Sequence, residues 1–190
     1  MRARAWAVAI SLVGAGSYSQ PFDNLGTEYK AKIGSPGGGV LIDAGRGRVG
    51  IELGLLYLNR KSESPTGTAG TTVTVSSNLL EGSALLRLWP VWWFSLGGGG
   101  YYAKYRGPLE TTTTTSAGTS VSRAAYPQSQ RSDHDYGAVA SASALLPLGS
   151  RLRFLVDGRY TFGLLNNTLQ PQSSLKFRDF LALAGFQLAF

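Results

Sequence analysis

The sequence FRDFLALAGFQLAF, residues 177–190, alternates between two kinds of position. At a period of two, which is the side-chain period of a β-strand, one of its faces carries no polar side chain. That face holds Phe180, Ala182, Ala184, Phe186, Leu188 and Phe190. A strand with one wholly apolar face is out of place on a small water-soluble sheet, but it fits a barrel wall that contacts lipid tails. The stretch therefore predicts a membrane-spanning β-strand.

The composition favours strands over helices. Of the 190 residues, 43% are hydrophobic and 15% are charged, with mean hydropathy close to zero, so apolar and polar side chains must alternate along the chain. The longest uncharged aromatic-rich run, residues 88–103, contains Pro90 and four glycines, which oppose a helix. The chain has no cysteine, which excludes disulfides and thiolate metal sites.

The net charge of +7 raises the question of nucleic-acid binding. The 18 Lys and Arg residues are scattered, however, without a basic helix or a run of five. Anionic lipid phosphates attract the same charge. We therefore expect no nucleic-acid partner.

Residues 1–20 allow two interpretations. A positive start, an apolar middle and a Ser17-Tyr18-Ser19 triplet are typical of a cleaved secretion signal. Yet large and small side chains alternate from Trp6 to Tyr18, and both aromatic residues lie at the ends of the apolar face. We expect the first strand here, with the export signal outside this sequence.

Seven further strands are expected, at about 28–43, 48–60, 77–88, 92–103, 134–146, 151–164 and 177–190. The second should be irregular at residues 35–39, where Pro36 lacks a donor and three glycines follow. Short and long connections alternate between the strands. The sequence therefore predicts a single all-β domain over residues 1–190, a closed eight-stranded antiparallel transmembrane β-barrel of up-and-down topology, with both termini on the side of the short turns.

Residues 107–133 form the longest of the polar connections. They include five consecutive threonines, Thr111 to Thr115, and few large apolar groups. Such a segment cannot bury enough surface to fold by itself. We expect a long mobile extracellular loop with strand extensions at its base, and a surface that an extracellular ligand could contact.

Aromatic residues cluster at the expected strand ends, where membrane anchoring explains them better than sugar or base stacking. The expected girdle consists of Trp6, Tyr18, Tyr57, Trp92, Tyr102 and Tyr160. Tyr101 and Tyr105 are exceptions, because their parity turns them toward the barrel interior.

Charged residues collect on the inward positions. These are Glu52, Arg60, Glu81, Arg87, Arg153, Asp157, Arg159 and Asp179. The interior of an eight-stranded barrel is about filled by side chains, and an unpaired charge there costs several kcal/mol. We expect the charges to pair across the lumen and plug it, with room made by Gly50, Gly54, Gly97, Gly99, Ser141 and Ser143. A conducting or ligand-binding lumen is the alternative.

At the level of pattern, the whole chain resembles the small Gram-negative outer-membrane barrels of the OmpA, OmpX and OmpW type. The most specific feature is the ending Phe186-x-Leu188-x-Phe190, which is similar to the C-terminal signal read by the barrel-assembly machinery. The resemblance implies an outer-membrane location, periplasmic termini, and contact with outer-membrane lipids and lipopolysaccharide. No single family motif matches, so it supplies no active site.

Catalytic candidates are few. The single histidine, His134, lies in Ser132-Asp133-His134-Asp135. Neighbours on a strand point to opposite faces, so adjacency alone does not build a catalytic triad. We expect a non-enzymatic protein without cofactor or metal, with a structural, envelope-stabilising or surface-interaction role. Passage of small solutes or hydrophobic compounds, as in an OmpW-like channel, is the alternative, and a lipid A-modifying enzyme is the third hypothesis.

Overall fold

The computed structural model describes residues 7–23, 30–65, 70–127, 131–168 and 175–190. Trp6 lies outside them. Ten strands are present in these ranges: β1 (Ala7–Asp23), β2 (Lys30–Ile33), β3 (Gly37–Arg46), β4 (Val49–Pro65), β5 (Thr72–Val91), β6 (Phe94–Thr115), β7 (Gly118–Ala124), β8 (His134–Pro147), β9 (Leu152–Gly163) and β10 (Leu175–Ala189). Within the same ranges, no helix is long and apolar enough to cross a membrane.

The sheet closes on itself. β1 pairs antiparallel with β10 from Ala9 opposite Ala189 to Asp23 opposite Leu175. β2 and β3 share one position between β1 and β4, while β7 pairs with β6 and, among the described strands, with no other. The ring therefore has eight strand positions, each antiparallel to its neighbours, in the order β1, β2 with β3, β4, β5, β6, β8, β9 and β10. The prediction of a closed eight-stranded antiparallel barrel is confirmed.

Side chains alternate between an exposed apolar wall and a buried interior. On β1, Leu12 is 70% exposed, whereas the adjacent Val13 is 4% exposed. On β10, Phe180 and Phe186 are exposed and Leu181 and Leu183 are buried. The expectation that the apolar face of each strand points away from the barrel axis holds for these strands, and β1 occupies the place expected for the first strand.

The second strand differs in part from its prediction. Its ladder is interrupted at residues 34–36, as Pro36 suggested, but Gly37, Gly38 and Gly39 pair regularly with β1, and Gly38 and Gly39 also pair with β4. The prediction of an irregular ladder at these three glycines was wrong. A Cβ at Gly39 would collide with the carbonyl oxygen of Leu55, so this position needs glycine because neighbouring backbones approach closely.

The interruption at residues 34–36 is bridged by hydrogen bonds. The Gly34 amide donates to the Ser17 carbonyl at 2.8 Å, and the Ser17 hydroxyl donates to the Asn59 carbonyl. The Ser35 amide donates to Asn59 Oδ1 at 3.0 Å. The Ser17 hydroxyl thereby connects β1 directly to β4, and residues 34 and 35 are each hydrogen-bonded to one of these two strands where the regular ladder is interrupted. We call this place the seam.

The threonine-rich segment is more regular than a loop. β6 continues to Thr115, turns, and pairs with β7 from Leu109 opposite Ala124 to Thr115 opposite Gly118. Its other edge pairs with β5 from Thr72 to Ser76, so the strand extensions expected at the base reach the tip of the segment. β-branched threonines favour this extended conformation. Low complexity alone gave no indication of the pairing.

Candidate functional site

A first group of ion pairs lies in the barrel interior on the side of the short turns. Arg87 on β5 donates to Glu52 Oε2 at 2.5 Å and to Asp157 Oδ2 at 2.9 Å. Arg159 on β9 donates to Glu52 Oε1 and to Asp157 Oδ2, both at 2.7 Å. These four residues, which we call the turn-side cluster, are at most 2% exposed and carry two charges of each sign. β4 and β9 lie on opposite sides of the ring, so the Glu52–Arg159 pair crosses the full lumen.

Hydroxyl groups and small residues complete the turn-side cluster. Arg87 also donates to Ser143 Oγ at 2.5 Å and to Ser95 Oγ at 3.3 Å. A Cβ at Gly97 would lie 3.2 Å from Arg87 Cδ, and one at Gly54 would lie 3.5 Å from Arg159 Nη1. Gly97 therefore provides space beside the Arg87 side chain, as the sequence suggested, whereas a Cβ at Gly54 would be in ordinary van der Waals contact with Arg159.

A second group lies nearer the long connections. Arg60 on β4 donates to Asp179 on β10 at 2.5 Å and to Asp135 on β8 at 3.0 Å. Tyr105 accepts from Arg60 at 2.5 Å, and Tyr101 donates to Asp135 at 3.2 Å. We call these five residues the loop-side cluster. Tyr101 and Tyr105, which the period-two count predicts to face the interior, are thus parts of the interior network.

Two of the predicted charges stand apart from these clusters. Glu81 is 1% exposed, and its Oε1 has no hydrogen-bond partner among the described residues. Arg153 lies near the short turns and donates to Gln187 Oε1 at 3.4 Å, while Gln187 donates to Asp43 Oδ2 at 3.0 Å.

Sequence reasoning missed two interior acids, Asp43 and Asp135. Asp135 was considered only as a neighbour of His134, although it shares the parity of the inward residues Val139 and Ser141. Asp43 likewise shares the parity of buried Leu41 on β3. Extending the period-two count to the ends of both strands would have found them.

The Ser132-Asp133-His134 group does not form a relay. Ser132 Oγ and Asp133 Oδ1 contact the same ring nitrogen, His134 Nδ1, at 3.2 and 2.9 Å. A triad needs the hydroxyl and the carboxylate on different nitrogens. The His134 ring instead stacks on Tyr102 outside the barrel, with centroids 5.9 Å apart, while Asp135 points inward to Arg60.

Asp133 lies in the connection before β8. Its hydrogen bond with His134 favours the ionised form, and this lowers the pKa of the Asp133 carboxyl below its ordinary value. Lys104 lies 3.7 Å away and acts in the same direction. In this exposed group, the contacts with His134 and Lys104 therefore act on the ionisation of the Asp133 carboxyl.

The predicted girdle residues that the structure describes all face outward. Tyr18, Tyr57, Tyr102 and Tyr160 are between 45% and 52% exposed and lie toward the long connections, while Trp92 is 69% exposed at a short turn. Phe186, Leu188 and Phe190 are also exposed on the outer wall. Their suggested role in recognition by the assembly machinery stays a prediction.

Cavities are present at both ends of the barrel. One of about 300 Å³ lies at the short turns and is lined by Asp43, Arg153 and Gln187. Another of about 740 Å³ lies at the root of the β6–β7 hairpin and is lined by Lys104, Tyr105, Tyr126 and Asp133. Tyr126 stacks on Tyr105 with ring centroids 4.8 Å apart. The two ion-pair clusters lie between these cavities along the strands.

The comparisons with known proteins support the fold. The structure is similar to the outer membrane protein OprG of Pseudomonas aeruginosa, with a TM-score of 0.65 and 13% identity over 99% of this chain and 97% of that one. It is also similar to Ail, the attachment invasion locus protein of Yersinia pestis, with a TM-score of 0.50 and 12% identity over 96% and 99% of the two chains. That Ail structure contains the heparin analogue sucrose octasulfate. No protein-family model and no curated protein matches the sequence. The chain therefore has the fold of the small outer-membrane β-barrels, as its pattern suggested.

Proposed function

We propose that this protein is an integral outer-membrane barrel with a structural or surface-interaction role, and that its interior ion pairs close the lumen to solutes. The observation that carries the proposal is the span of the turn-side cluster. Arg159 and Glu52 come from opposite walls and meet at 2.7 Å, and Arg87 joins Glu52 to Asp157. Such buried, mutually paired charges leave little room or polarity for a passing solute.

The outer wall supports the location. Exposed Leu, Ile, Val and Phe side chains surround the barrel, and a wall of this kind is stable only in contact with hydrocarbon. The β4, β5, β6 and β7 extensions project beyond this wall and present mainly Ser and Thr, a surface suited to contact with an extracellular partner.

The second candidate is passage of a small solute or hydrophobic compound. The cavities of about 300 and 740 Å³ at the two ends favour it, because each could hold a solute at a mouth of the barrel. Passage would require both ion-pair clusters to rearrange. A lipid A-modifying activity is less well supported, because the contacts of His134 do not form a relay.

Single-channel recording in planar bilayers separates the first two candidates. We expect the refolded protein to insert without a defined conductance. A variant that removes all four charges of the turn-side cluster, Glu52→Ala with Arg87→Ala, Asp157→Ala and Arg159→Ala, keeps the interior neutral and should conduct if it inserts. Arg46→Ala with Arg48→Ala, at an exposed turn, is the control. A stable, reproducible conductance of the unaltered protein would contradict the closed lumen and favour passage.

A further inference from the structure

Two cations lie on the outer wall, at the edge of its apolar surface that is nearer the long connections. Lys176 and Arg178 alternate with buried residues on β10 and precede Phe180, which is 53% exposed, on the outward face. Phe180 and Phe190, the first and last outward apolar side chains of this strand, are ten residues apart. At ~3.3 Å per residue and a strand tilt of about 40°, this distance corresponds to about 25 Å along the barrel axis. This is the height of the apolar band of an outer-membrane barrel. Arg178 therefore lies at the level where lipid headgroups begin.

Aromatic rings hold Arg178 in place from both sides. Its guanidinium carbon lies 4.3 Å from the centroid of Phe22 on β1 and 5.0 Å from that of Phe162 on β9. Phe162 is its direct partner in the β9 register, and Phe22 is opposite Lys176 in the β1 register. A guanidinium stacked on rings is pre-organised, and its N–H donors at the edge stay available to an anion.

Neither cation forms an ion pair with a residue of the described ranges. This distinguishes them from Lys32, Lys104 and Arg123, each of which has a carboxylate within 4 Å.

The outward neighbour of the two cations on β1 is the exposed, uncharged Gln20, opposite Arg178. A guanidinium and an ammonium next to an amide, above exposed Phe180, Tyr160 and Tyr18, suit an anionic headgroup with acyl chains below it.

We propose that Arg178 and Lys176 bind a phosphate of a phosphorylated glycolipid of the outer leaflet, with Phe22 and Phe162 positioning the guanidinium and the apolar wall contacting the acyl chains. This site rests on the proposed outer-membrane location. It assigns the lipid contact to one side of the barrel, formed by β9, β10 and β1, rather than to the general positive charge of the protein.

Lipid binding to the refolded full chain in detergent micelles tests the site. The probes are diphosphoryl lipid A, monophosphoryl lipid A and phosphatidylcholine, and bound lipid is measured by native mass spectrometry over a titration. We expect preference for diphosphoryl lipid A, and a loss of affinity of roughly tenfold or more in Lys176→Ala with Arg178→Ala, since charge-assisted hydrogen bonds are lost. Arg151→Ala, which removes an exposed charge at the opposite end, should bind like the unaltered protein.

Two further variants separate positioning from charge. Phe22→Leu with Phe162→Leu keeps both cations and should weaken binding roughly threefold by removing the ring contacts. Arg178→Lys keeps the charge but loses the planar group, so its affinity should lie between those of the unaltered protein and the double alanine variant. Circular dichroism and heat-modifiable gel mobility establish that each variant is folded before titration.

Several outcomes would overturn the site. These are equal binding of all three lipids, equal loss of affinity in Arg151→Ala, unchanged binding in the double alanine variant, or tight binding of a water-soluble polysulfated sugar at the same residues without need of acyl chains. Failure here leaves the closed, membrane-inserted barrel intact if the protein still enters bilayers without conducting. Conversely, a conducting barrel that keeps the lipid preference contradicts the closed lumen and not the lipid site.

Discussion

Arg60 on β4 donates to Oδ2 of Asp179 on β10 at 2.5 Å, while its other terminal nitrogen donates to Asp135 on β8. Three strands that are not neighbours in the sheet are joined by this one guanidinium. Phe177 covers it, with the ring centroid 4.3 Å from the guanidinium carbon. The arrangement implies that, in the half of the barrel nearer the long connections, Arg60 supplies the counter-charge for the buried carboxylates of Asp135 and Asp179.

Replacing Arg60 by methionine should destabilise the barrel by about 3–5 kcal/mol, because Asp135 and Asp179 would remain buried without a counter-charge. Urea unfolding of the refolded protein in lipid vesicles, followed by tryptophan fluorescence, measures this change. Arg123→Met is the control: Arg123 pairs with Glu110 at 2.9 Å on the exposed hairpin, and its loss should cost less than about 1 kcal/mol. Equal effects of the two variants would contradict the structural role of Arg60.

Glu52 and Arg159 should behave as a coupled pair. Glu52→Gln leaves two arginines against Asp157, and Arg159→Met leaves two carboxylates against Arg87, so each single variant should lower the unfolding free energy by a few kcal/mol. The double variant keeps the Arg87–Asp157 pair and is balanced in charge. We expect a coupling energy of about 1–3 kcal/mol in a double-mutant cycle measured by the same urea unfolding. Strictly additive effects would show that the two side chains act independently.

Two adjacent glycines on β6 should respond in opposite ways to alanine. A Cβ at Gly99 would collide with the backbone of Ala84 on β5, whereas a Cβ at Gly98 would meet nothing within 4 Å. Gly99→Ala should therefore cost about 1–3 kcal/mol, while Gly98→Ala should be neutral or slightly stabilising. The fraction refolded into vesicles and the urea midpoint measure both effects. A tolerated Gly99→Ala would mean that the sheet relaxes there without cost.

His134 should be dispensable for any lipid chemistry. Because Ser132 and Asp133 contact the same ring nitrogen, His134→Ala is expected to leave the lipid A of the host membrane unchanged in mass spectrometry. Expression of the unaltered protein in the same host is the matched control. Modified lipid A that disappears in His134→Ala would instead establish an enzyme.

The same substitution has a local effect on titration. His134 lowers the pKa of the Asp133 carboxyl through a hydrogen bond, so His134→Ala should raise that pKa toward its ordinary value. Because the folded-state pKa is lowered, the contribution of this contact is present above the ordinary pKa of aspartate, ~3.9, and is lost as the pH falls through the lowered value. A titration of the Asp133 carboxyl followed by NMR measures the change, and an unaltered pKa would show that the hydrogen bond with His134 does not lower it.

The barrel itself could be predicted from the sequence because side-chain direction in a strand depends only on parity. The outward faces of β4, β9 and β10, and the inward position of Arg87, follow from this count. Pairing partners do not follow from it, because they depend on how far neighbouring strands are displaced along one another. Arg60 and Asp135 are 75 residues apart, and only the closed ring brings them into contact.

Local composition was a poor guide to secondary structure in two segments where pairing with distant strands determines it. The run from Gly37 to Gly39 predicts an irregular stretch because glycine weakens a strand, yet here the adjacent backbones require it. Low complexity predicts a loop with strand extensions at its base around Thr111 to Thr115, whereas in the structure β5 pairs with Thr111 to Thr114 and β7 pairs with all five threonines. In both cases the decisive partner lies elsewhere in the chain.

The seam should be a place where the barrel wall opens locally. At residues 34–36 the regular ladder gives way to three hydrogen bonds, one main-chain bond from Gly34 to Ser17 and two that involve the Ser17 hydroxyl and the Asn59 side chain. With so few hydrogen bonds, the wall should open locally at this height at a lower free energy than at β8 and β9, so the amides around Ser35 should exchange with deuterium well before those of the two laddered strands.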